Sequence, residues 1–533
     1  MIKSNDNKYV GELGKTMKFD EKHSVEIPFM EQLRAQGWDE GDNEVLMLEL
    51  GQTPEDSYRH SFREVVLMPK LKTAVRRINP WLTDGQMDEV ITRITSFGSG
   101  KLLDNNREVL RLLLEGTTVA RNEQTGELSP EVRYIDFRHL ENNVFTAISQ
   151  FKVAIPATDN HIIPDAVLFV NGLPLVVVEA KSPKITEPIP EAIDQLMRYS
   201  EQRGYVGEGN QELFAYNQFL VATCRNQAMF GTITTHTIKY FYRWTDPYPM
   251  TVNDLQHGQS APNDQQRLVA GMLTRQNLLD ILRVFTIFKT DDKGKTIKVV
   301  GRYQQFRAVK KMAERLKKGK NKIERGGILW HTQGSGKSLT TTFLVRQMRI
   351  DAELATWKIV FVTDRTQLEE QLGETGTGIG LTLHKAECID PLNPPKGNSL
   401  KELLKTDGSD LVMAMIHKFQ ETGELGKGMA LFPELNTSDK ILIMTDEAHR
   451  SQYSLLGANL DRALPNATKI GFTGTPTAKT ERLYKDYIDR YTMRESIDDG
   501  VTLEIIYQGF THNAEVEDKT GSSEILCDDL IVG

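Results

Sequence analysis

The sequence predicts an α/β protein whose second half is a lobe built on a parallel sheet. Three observations support this fold class. From residue 326 onward, short apolar strands alternate with helical or loop segments, as in parallel sheets with crossover helices. A glycine-rich loop follows the first of these strands. Upstream, residues 165–181 form two apolar runs around Asn171-Gly172, which is a strong hairpin signal.

Length and composition describe a large globular protein. Its 533 residues suggest several domains, and 39% hydrophobic with 26% charged residues is ordinary for a soluble chain. No apolar run has membrane-spanning length and residues 1–22 lack a signal-peptide core, so we expect a cytoplasmic protein with no membrane partner. The net charge of −8 alone argues mildly against a nucleic-acid partner, although local patches matter more. Cys224, Cys388 and Cys527 are too far apart for a disulfide framework or a metal-ligand motif.

The chain divides by pattern into four segments. The predicted segments are a mixed first domain at 1–250, a polar linker at 251–266, a lobe with a parallel sheet at 267–494 and a connecting segment at 495–533. Helices are predicted at 278–288 and 304–316, and strands at 328–330, 358–363, 411–416, 441–445, 469–473 and 501–507.

A phosphate-binding loop is the strongest motif. The strand 328–330 leads into a loop with two glycines, and a helix opens at Lys337, which is the context a P-loop requires. Lys337 is expected to reach the β- and γ-phosphates of ATP, and Ser338 to hold Mg²⁺. His331 stands where a strict P-loop has glycine, which changes the subclass and not the function. The residues predicted to bind nucleotide here are Thr332, Gly334, Ser335, Gly336, Lys337 and Ser338.

Two carboxylates at the end of the strand 441–445 are predicted to complete the ATP site. Ligands of open parallel sheets bind at the carboxyl ends of strands, where Asp446 and Glu447 stand. Asp446 would position Mg²⁺ and its waters, and Glu447 would orient and deprotonate the attacking water. Adjacent carboxylates at a strand end are often only solvated, but the upstream P-loop favours the catalytic interpretation.

Two features precede the P-loop. The run 307–325 holds nine Lys or Arg against two Glu, so it is either a DNA-facing patch or a solvated helix end. Residues 302–307 resemble the adenine-reading glutamine motif of helicase-like ATPases, because a glutamine amide can both donate to and accept from the adenine edge. Gln305 is preferred over Gln304 for this role.

A second candidate site lies on the hairpin 165–181. Asp165 and Glu179 would hold Mg²⁺, with the Ala180 carbonyl as a third ligand, and Lys181 would orient water or neutralise developing charge. An Asp…Glu-x-Lys pattern also arises by chance on surface hairpins. Here the run 175–178 is apolar on both faces, so the charged residues end a core strand and need a reason to be there.

Strand geometry sets a condition on this site. A regular two-residue turn at Asn171-Gly172 would place Asp165 opposite Val178, facing away from Glu179. Shared metal binding therefore predicts a three-residue loop, 170–172 with Gly172 left-handed, or a bulge near Asp165.

The helix predicted at 192–199 carries Gln195 and Tyr199 four residues apart, and hence on one face. By itself this is an ordinary amphipathic helix.

Two sets of motifs resemble known families. Residues 446–449 and 473–476, beginning at Asp446 and Thr473, resemble motifs II and III of superfamily 2 helicases and translocases. Residues 362–365 and 415–419 resemble DNA-facing motifs, in which Arg365 and Lys418 are either phosphate contacts or solvated charges. Asp165, the Glu179-Ala180-Lys181 triplet and the Gln195…Tyr199 pair, followed by such a lobe, resemble the R subunit of type I restriction endonucleases.

The resemblance implies a RecB-like PD-(D/E)xK nuclease domain followed by a RecA-like superfamily 2 motor lobe. It implies ATP-driven movement of double-stranded DNA, Mg²⁺-dependent cleavage, and assembly with modification and specificity subunits. Gln195 and Tyr199 then count as catalytic residues, with Asp165, Glu179, Lys181 and Glu447, and Thr473 joins the ATP site. Motifs IV to VI of a second lobe are not found before Gly533, so the sequence is interpreted as a fragment. Two alternatives stay open, a motor whose nuclease-like domain only binds DNA and a nucleotide-responsive assembly module without turnover.

Overall fold

The computed structural model describes residues 21–256, 260–290, 294–363, 383–385, 400–415, 433–446 and 453–502. Three residues with predicted roles, Glu447, Arg365 and Lys418, lie outside the described residues, as does most of the predicted strand 501–507.

A seven-stranded mixed sheet forms the centre of the N-terminal region. Its order is β1-β4-β7-β8-β9-β10-β11, with β1–β4 and β8–β9 parallel and the other neighbours antiparallel. The central strands are buried along their whole length, as their continuous apolar runs predicted. The strands of this region are β1 (Glu44–Leu46), β2 (Thr117–Thr118), β3 (Glu131–Val132), β4 (Phe145–Ser149), β5 (Val153–Ala154), β6 (His161–Ile162), β7 (Ala166–Val170), β8 (Leu173–Ala180), β9 (Phe219–Thr223), β10 (Ala228–Gly231) and β11 (Tyr242–Arg243).

The β7–β8 hairpin meets the predicted geometric condition, but not by the predicted loop. Asn171 and Gly172 form a two-residue turn with both φ angles positive, at 52° and 78°, so the three-residue loop was wrong. The register then shifts between Leu168 and Phe169, because Leu175 is an extra residue on β8. Ala166 pairs with Val178 as a result, and continuing this register places Asp165 opposite Glu179.

Helices pack on this sheet and connect it to the next region. The first helix, α1, continues at both ends into π-helical turns at Lys22–Glu26 and Arg34–Trp38. α5 buries its apolar face on β8 and β9, which confirms the predicted helix at 192–199. The helices up to the phosphate loop are α1 (Ile27–Leu33), α2 (Met68–Ile78), α3 (Asp84–Thr95), α4 (Leu102–Glu115), α5 (Pro188–Tyr199), α6 (Gln211–Tyr216), α7 (Asp264–Met272), α8 (Arg275–Val284), α9 (Tyr303–Lys318) and α10 (Lys322–Arg325).

The second large sheet is parallel throughout, as predicted. Its order is β16-β17-β15-β18-β19-β14-β20, so the strand before the phosphate loop is separated from the Asp446 strand only by β19. The remaining elements are β12 (Thr286–Thr290), β13 (Thr296–Val300), β14 (Gly327–His331), α11 (Lys337–Ile350), β15 (Lys358–Thr363), β16 (Leu383–Lys385), α12 (Leu400–Lys405), β17 (Leu411–Met415), β18 (Ile441–Thr445), α13 (Tyr453–Ala463), β19 (Thr468–Thr473), α14 (Ala478–Tyr484), β20 (Tyr487–Tyr491) and α15 (Met493–Asp498).

Two predicted elements differ from the structure. The helix predicted at 278–288 ends at Val284, and Thr286–Thr290 instead forms β12, whose threonines and aromatic residue suit an antiparallel hairpin with β13. In the segment predicted as a linker, Val252–Leu255 is a 3₁₀ turn and α7 begins at Asp264.

The two sheets share one continuous hydrophobic core. It runs from Phe169 on β7 through Trp244 to Phe306 on α9 and Phe343 on α11. Polar contacts cross the same boundary. The Trp38 indole donates to the Leu273 carbonyl at 2.8 Å, and Lys298 of β13 is wholly buried against the N-terminal region. The two regions therefore pack as one body through the described residues.

Candidate functional site

The N-terminal sheet gathers the predicted carboxylates and lysine at the carboxyl end of β8. Asp165, Glu179 and Lys181 are all buried, with exposed fractions of 8%, 0% and 6%. The Lys181 Nζ lies 2.8 Å from the Glu179 Oε1. The Asp165 Oδ2 accepts the Ala180 N–H at 2.7 Å, so the backbone of the triplet contacts the opposing carboxylate directly. The structure thus brings the three predicted side chains together, as the bulge at Leu175 allows.

Two further carboxylates that were not predicted from the sequence, Glu21 and Glu26, lie beside Asp165. Oxygens of Glu21, Glu26 and Asp165 lie within 4.8 Å of one another. The Gln150 amide links two of them, donating to Glu26 Oε2 at 2.7 Å and to Asp165 Oδ1 at 3.0 Å. Gln150 directly follows β4 with a left-handed backbone, at φ 50°. The sequence signal that could have indicated Glu26 is its position among apolar residues, between Val25 and Phe29, where an acid on the buried side of a helix is unusual.

Burial disfavours ionisation of these acids. It raises the pKa of Glu26 to about 7 and that of Asp165 to about 6, and in Glu26 the nearby Asp165 charge adds to the effect. Burial and the Asp165 charge also hold the pKa of Glu179 well above its ordinary value, although Lys181 opposes this. Burial alone would lower the pKa of Lys181, but Glu179 raises it above the ordinary value. The group therefore consists of carboxyl groups whose ionised form is disfavoured, beside a lysine whose protonated form is favoured.

Such a set fits a divalent cation. The Glu179 Oε2 is buried and has no hydrogen-bond partner among the described residues, so one carboxylate oxygen is desolvated without compensation. A hard divalent cation bound by these acids would stabilise their ionised forms, which burial alone disfavours. The oxygens of Asp165, Glu179 and Glu26 match the ligand preference of Mg²⁺. The contribution of the Ala180 carbonyl stays a prediction.

The predicted pair on α5 closes one side of the group. The Gln195 Nε2 donates to the Tyr199 hydroxyl at 2.6 Å, and that hydroxyl donates to the Ile163 carbonyl at 3.3 Å. Burial raises the pKa of Tyr199, and the charge of Glu179 adds to this rise. The two side chains therefore stand beside the carboxylates, and their catalytic role stays a prediction.

The phosphate loop has the backbone that nucleotide binding needs. Gly334 and Gly336 adopt positive φ angles of 79° and 86°, and α11 begins at Lys337 immediately after them. The Lys337 Nζ contacts the carbonyls of His331 and Thr332 at 3.2 and 3.4 Å, so the ammonium lies within the curve of the loop. The N–H groups at the start of α11 and this lysine together favour an anion.

The strand ends that carry Asp446 and Thr473 lie beside the phosphate loop. Thr445 at the end of β18 pairs with Gly471 on β19, and Thr473 at the end of β19 pairs with Trp330 on β14. Gly474 packs so closely on the loop that an added Cβ would lie 3.4 Å from the Lys337 Nζ. Asp446, Thr473 and the loop therefore share one edge of the sheet, and Ser338 is the second residue of α11, which starts there.

The glutamine at position 305 contacts the loop directly. Its Nε2 donates to the Gly336 carbonyl at 2.9 Å, and its Oε1 accepts the Arg302 N–H at 2.9 Å. Gln304 is buried as well, but its amide atoms have no hydrogen-bond partner among the described residues. Gln305 therefore contacts the phosphate loop, and the preference for Gln305 over Gln304 in adenine recognition stays a prediction.

The basic run 307–325 forms ion pairs within the protein. Seven of its nine cations form ion pairs with acids of the run or of neighbouring elements, which disfavours the DNA-facing interpretation because these charges are already paired. These pairs are Arg307 with Asp246 and Asp489, Lys310 with Asp280, Lys311 with Asp489, Arg315 with Asp486, Lys317 with Asp351, Lys318 with Glu314 and Arg325 with Asp439.

Across the part of the chain that the structure describes, no helix combines the length and apolarity that crossing a bilayer requires.

Comparison with known families divides the chain as its two sheets do. Residues 18–237 match the family described as type I restriction enzyme R protein N terminus. Residues 304–529 match the family described as SWI2/SNF2 ATPase.

Individual relatives share both regions. Over 91% of this chain, it is 32% identical to the type I restriction enzyme HindI endonuclease subunit of Haemophilus influenzae, of which it covers 46%. Over 92% of this chain, it is 29% identical to a putative type I restriction enzyme MjaIXP endonuclease subunit of Methanocaldococcus jannaschii, again covering 46%. The chain thus spans about half the length of the curated relatives it matches. A solved structure, a nuclease-deletion mutant of the type ISP enzyme LlaGI with a DNA substrate mimic, is 19% identical over 37% of this chain and 20% of its own, with a TM-score of 0.26.

Proposed function

Since the chain is a homologue of type I restriction enzyme R (endonuclease) subunits and carries their N-terminal and SWI2/SNF2 ATPase regions, we propose that it cleaves DNA at the Asp165–Glu179 centre and moves along DNA with ATP bound at Lys337. The observation that carries the nuclease proposal is the register of the β7–β8 hairpin. One extra residue, Leu175, turns Asp165 onto the face of Glu179 and Lys181.

The residues of this centre divide the work of phosphodiester hydrolysis. Mg²⁺ held by Asp165, Glu179 and the Ala180 carbonyl would polarise the scissile phosphate and acidify a water molecule. Lys181, protonated and 2.8 Å from Glu179, orients the attacking water and neutralises charge that develops on the phosphate. Gln195 and Tyr199 contribute a hydrogen-bonded wall at one side of the centre.

Glu26 is proposed as a further carboxylate of the same centre, with Gln150 as its positioning residue. The Gln150 amide fixes Glu26 and Asp165 relative to each other, so both oxygens face one small volume. A carboxylate beside Asp165 would add an oxygen ligand for the divalent cation of this centre.

The second proposed activity is ATP hydrolysis at the phosphate loop. Lys337 binds the β- and γ-phosphates, Ser338 and Asp446 hold the Mg²⁺ of the nucleotide, and Gln305 reads the adenine. Thr332, Gly334, Ser335 and Gly336 supply the backbone that surrounds the phosphates, and Thr473 lies beside them. Glu447, which follows Asp446 but lies outside the described residues, activates the attacking water. The proposed cofactors are thus ATP and Mg²⁺.

The proposed partners are double-stranded DNA and the modification and specificity subunits of a type I complex. Coupling hydrolysis to movement requires a second lobe to close over the nucleotide, since the described parallel sheet supplies one side of the cleft.

Lys181→Ala in the assembled complex tests the nuclease proposal. We expect DNA cleavage to fall at least about 100-fold, while DNA-stimulated ATP hydrolysis persists. Lys72→Ala, at an exposed ion pair of the same region, is the matched control. Unchanged cleavage would support the alternative in which the N-terminal region only binds DNA.

ATP hydrolysis by residues 1–533, measured with and without DNA, tests the motor proposal. DNA-stimulated turnover that Lys337→Ala abolishes would refute the alternative of an assembly module without turnover. Nucleotide binding with no turnover in any DNA-containing assembly would refute the motor proposal.

A further inference from the structure

The first residue of the phosphate loop is held by a buried ionic chain. His331 ends β14 and is fully buried, and its Nε2 lies 3.0 Å from the Asp489 Oδ2 on the edge strand β20. The next residue of the loop is bonded to the same strand, because the Thr332 N–H donates to the Tyr491 carbonyl at 3.0 Å. β20 therefore fixes the place where the loop leaves the sheet.

Asp489 is shared with the helix that carries Gln305. Arg307 on α9 donates to its two oxygens from Nε at 2.8 Å and from Nη2 at 3.0 Å, and the Lys311 Nζ lies 2.8 Å from Oδ1. The Asp489 side chain is 1% exposed, so it depends on these donors for solvation. Displacing α9 would leave a buried carboxylate without its main partner.

Arg307 also reaches out of the ATPase region. Its Nη1 donates to Asp246, in the segment that leads away from the last strand of the N-terminal sheet, and its Nη2 donates to the Arg490 carbonyl at 2.7 Å. The chain His331–Asp489–Arg307–Asp246 thus connects the start of the phosphate loop to the N-terminal region in three contacts.

Burial and hydrogen bonds govern the charges along this chain. Burial lowers the pKa of His331, which favours the neutral ring, and a carboxylate at Asp489 can only accept from its Nε2. Burial alone would raise the pKa of Asp489, but the bonds from His331 and Arg307 hold it below its ordinary value. The Asp489 carboxylate thus lies between the His331 ring and the Arg307 guanidinium and is hydrogen-bonded to both.

We propose that His331 and Asp489 are positioning residues for the phosphate loop and that Arg307 couples them to Asp246. Nucleotide binding at Lys337 is then linked energetically to the N-terminal region, whose Asp246 does not touch the nucleotide. The histidine that replaces a glycine of the strict P-loop pattern is the residue that makes this connection. The inference rests on the proposed function in one respect, namely that the loop binds ATP.

The test is the affinity of the 533-residue chain for the fluorescent analogue mant-ATP with Mg²⁺. Asp246→Asn, which weakens the outer link, is expected to raise the Kd about fivefold or more. His331→Leu is expected to raise it at least as much, and His331→Gln, which keeps an N–H donor at a similar reach, to restore most of the affinity. Thermal unfolding of each variant establishes that it is folded.

A matched control and a double variant separate coupling from general damage. Glu40→Gln breaks another ion pair across the same two regions, with Arg275 at 3.0 Å, and is expected to leave the Kd unchanged because that pair does not lead to the loop. In His331→Leu the path is already cut, so adding Asp246→Asn is expected to have little further effect.

Four outcomes overturn the inference. They are an unchanged Kd in Asp246→Asn, an equal loss of affinity in Glu40→Gln, Kd changes of Asp246→Asn and His331→Leu that simply multiply, and no rescue by His331→Gln. Failure of the unaltered chain to bind mant-ATP would instead refute the proposed ATP site, and the coupling with it. Because that measurement comes first, the two failures are distinguishable.

Discussion

Replacing Asp165 with asparagine is expected to stabilise the metal-free protein near pH 8. The aspartate is buried beside Glu26 and Glu179, and its two oxygens accept one N–H from Ala180 and one from Gln150. Asparagine keeps the size and one acceptor, but it removes a charge that the folded state holds at a disadvantage.

The magnitude follows from the raised pKa. A folded-state pKa of about 6 for Asp165 against about 3.9 in an unfolded chain corresponds to roughly 3 kcal/mol of lost stability above pH 6. Because the folded pKa is the higher one, this loss develops as pH rises from about 4 to 6 and is absent below. The asparagine forfeits one hydrogen bond, at about 1 kcal/mol. The net expectation is a gain of about 2 kcal/mol at pH 8 and a loss of about 1 kcal/mol at pH 4.

Urea unfolding in EDTA at pH 4, 6 and 8 measures this difference. The control is Asp136→Asn, because Asp136 accepts bonds from Asn142, Arg138 and His139, and these hold its pKa below the ordinary value although burial opposes them. That variant should lose stability at pH 8. A difference for Asp165→Asn that does not change with pH, or a loss at pH 8, would refute the electrostatic reasoning.

Three further variants test the packing. Arg307→Met should lower the free energy of unfolding by about 3–5 kcal/mol, because it removes an ion-pair partner of the buried Asp489. Arg203→Met, at an exposed ion pair, should change the free energy of unfolding by less than about 1 kcal/mol. Equal effects of the two substitutions would contradict the role of Arg307. Gly172→Ala should lose at least about 1 kcal/mol, since φ is 78° and its Cβ would lie 2.5 Å from the Leu67 carbonyl oxygen, while Gly100→Ala, with open space around it, should be tolerated. Lys298→Met tests a buried lysine that is hydrogen-bonded to Asn106 and Gln218. Burial lowers the pKa of Lys298, so the unaltered chain should gain stability relative to the variant as pH rises from 7 towards about 10. A difference in unfolding free energy that does not change with pH would contradict this.

The ATP site was predictable because its signal is local. A strand, a glycine loop and a helix follow one another within 327–350, and each element formed where its pattern indicated. Asp446 followed from the rule that parallel strands present ligands at their carboxyl ends, whereas Thr473 followed from the family resemblance. The order of the strands, which places β19 between β18 and β14, came only from the structure.

For the candidate nuclease centre, the sequence predicted that an irregularity must bring Asp165 and Glu179 onto one face, but not where that irregularity lies. Side chains alternate between the two faces of a strand, so regular pairing across a two-residue turn would put Asp165 and Glu179 on opposite faces. One extra residue in the hairpin brings them onto the same face, and the structure has such a residue. The bulge lies at Leu175 rather than near Asp165, because packing of buried strands decides which residue is extruded, and the sequence is apolar throughout β8. Glu26 and Gln150 were missed because they lie far from Asp165 in sequence, and only the folded chain brings them to it.

Connecting segments were the least predictable. Residues 251–266 are polar in sequence, yet the α7 helix that begins among them packs on α1 and β10. Arg243 binds Asp264 through both carboxylate oxygens, at 2.9 and 3.0 Å, so polarity there marks an ion pair between elements rather than a free linker.

Manganese binding measured by electron paramagnetic resonance tests the central proposal most directly, because the nuclease centre must hold a divalent cation without nucleotide. We expect the 533-residue chain to bind Mn²⁺, and Asp165→Asn and Glu179→Gln to weaken this binding at least about tenfold. Glu108→Gln, at an exposed pair with Arg111 in the same region, should leave it unchanged. Binding that survives both substitutions at the centre, or no binding by the unaltered chain, would contradict the proposed metal-dependent nuclease.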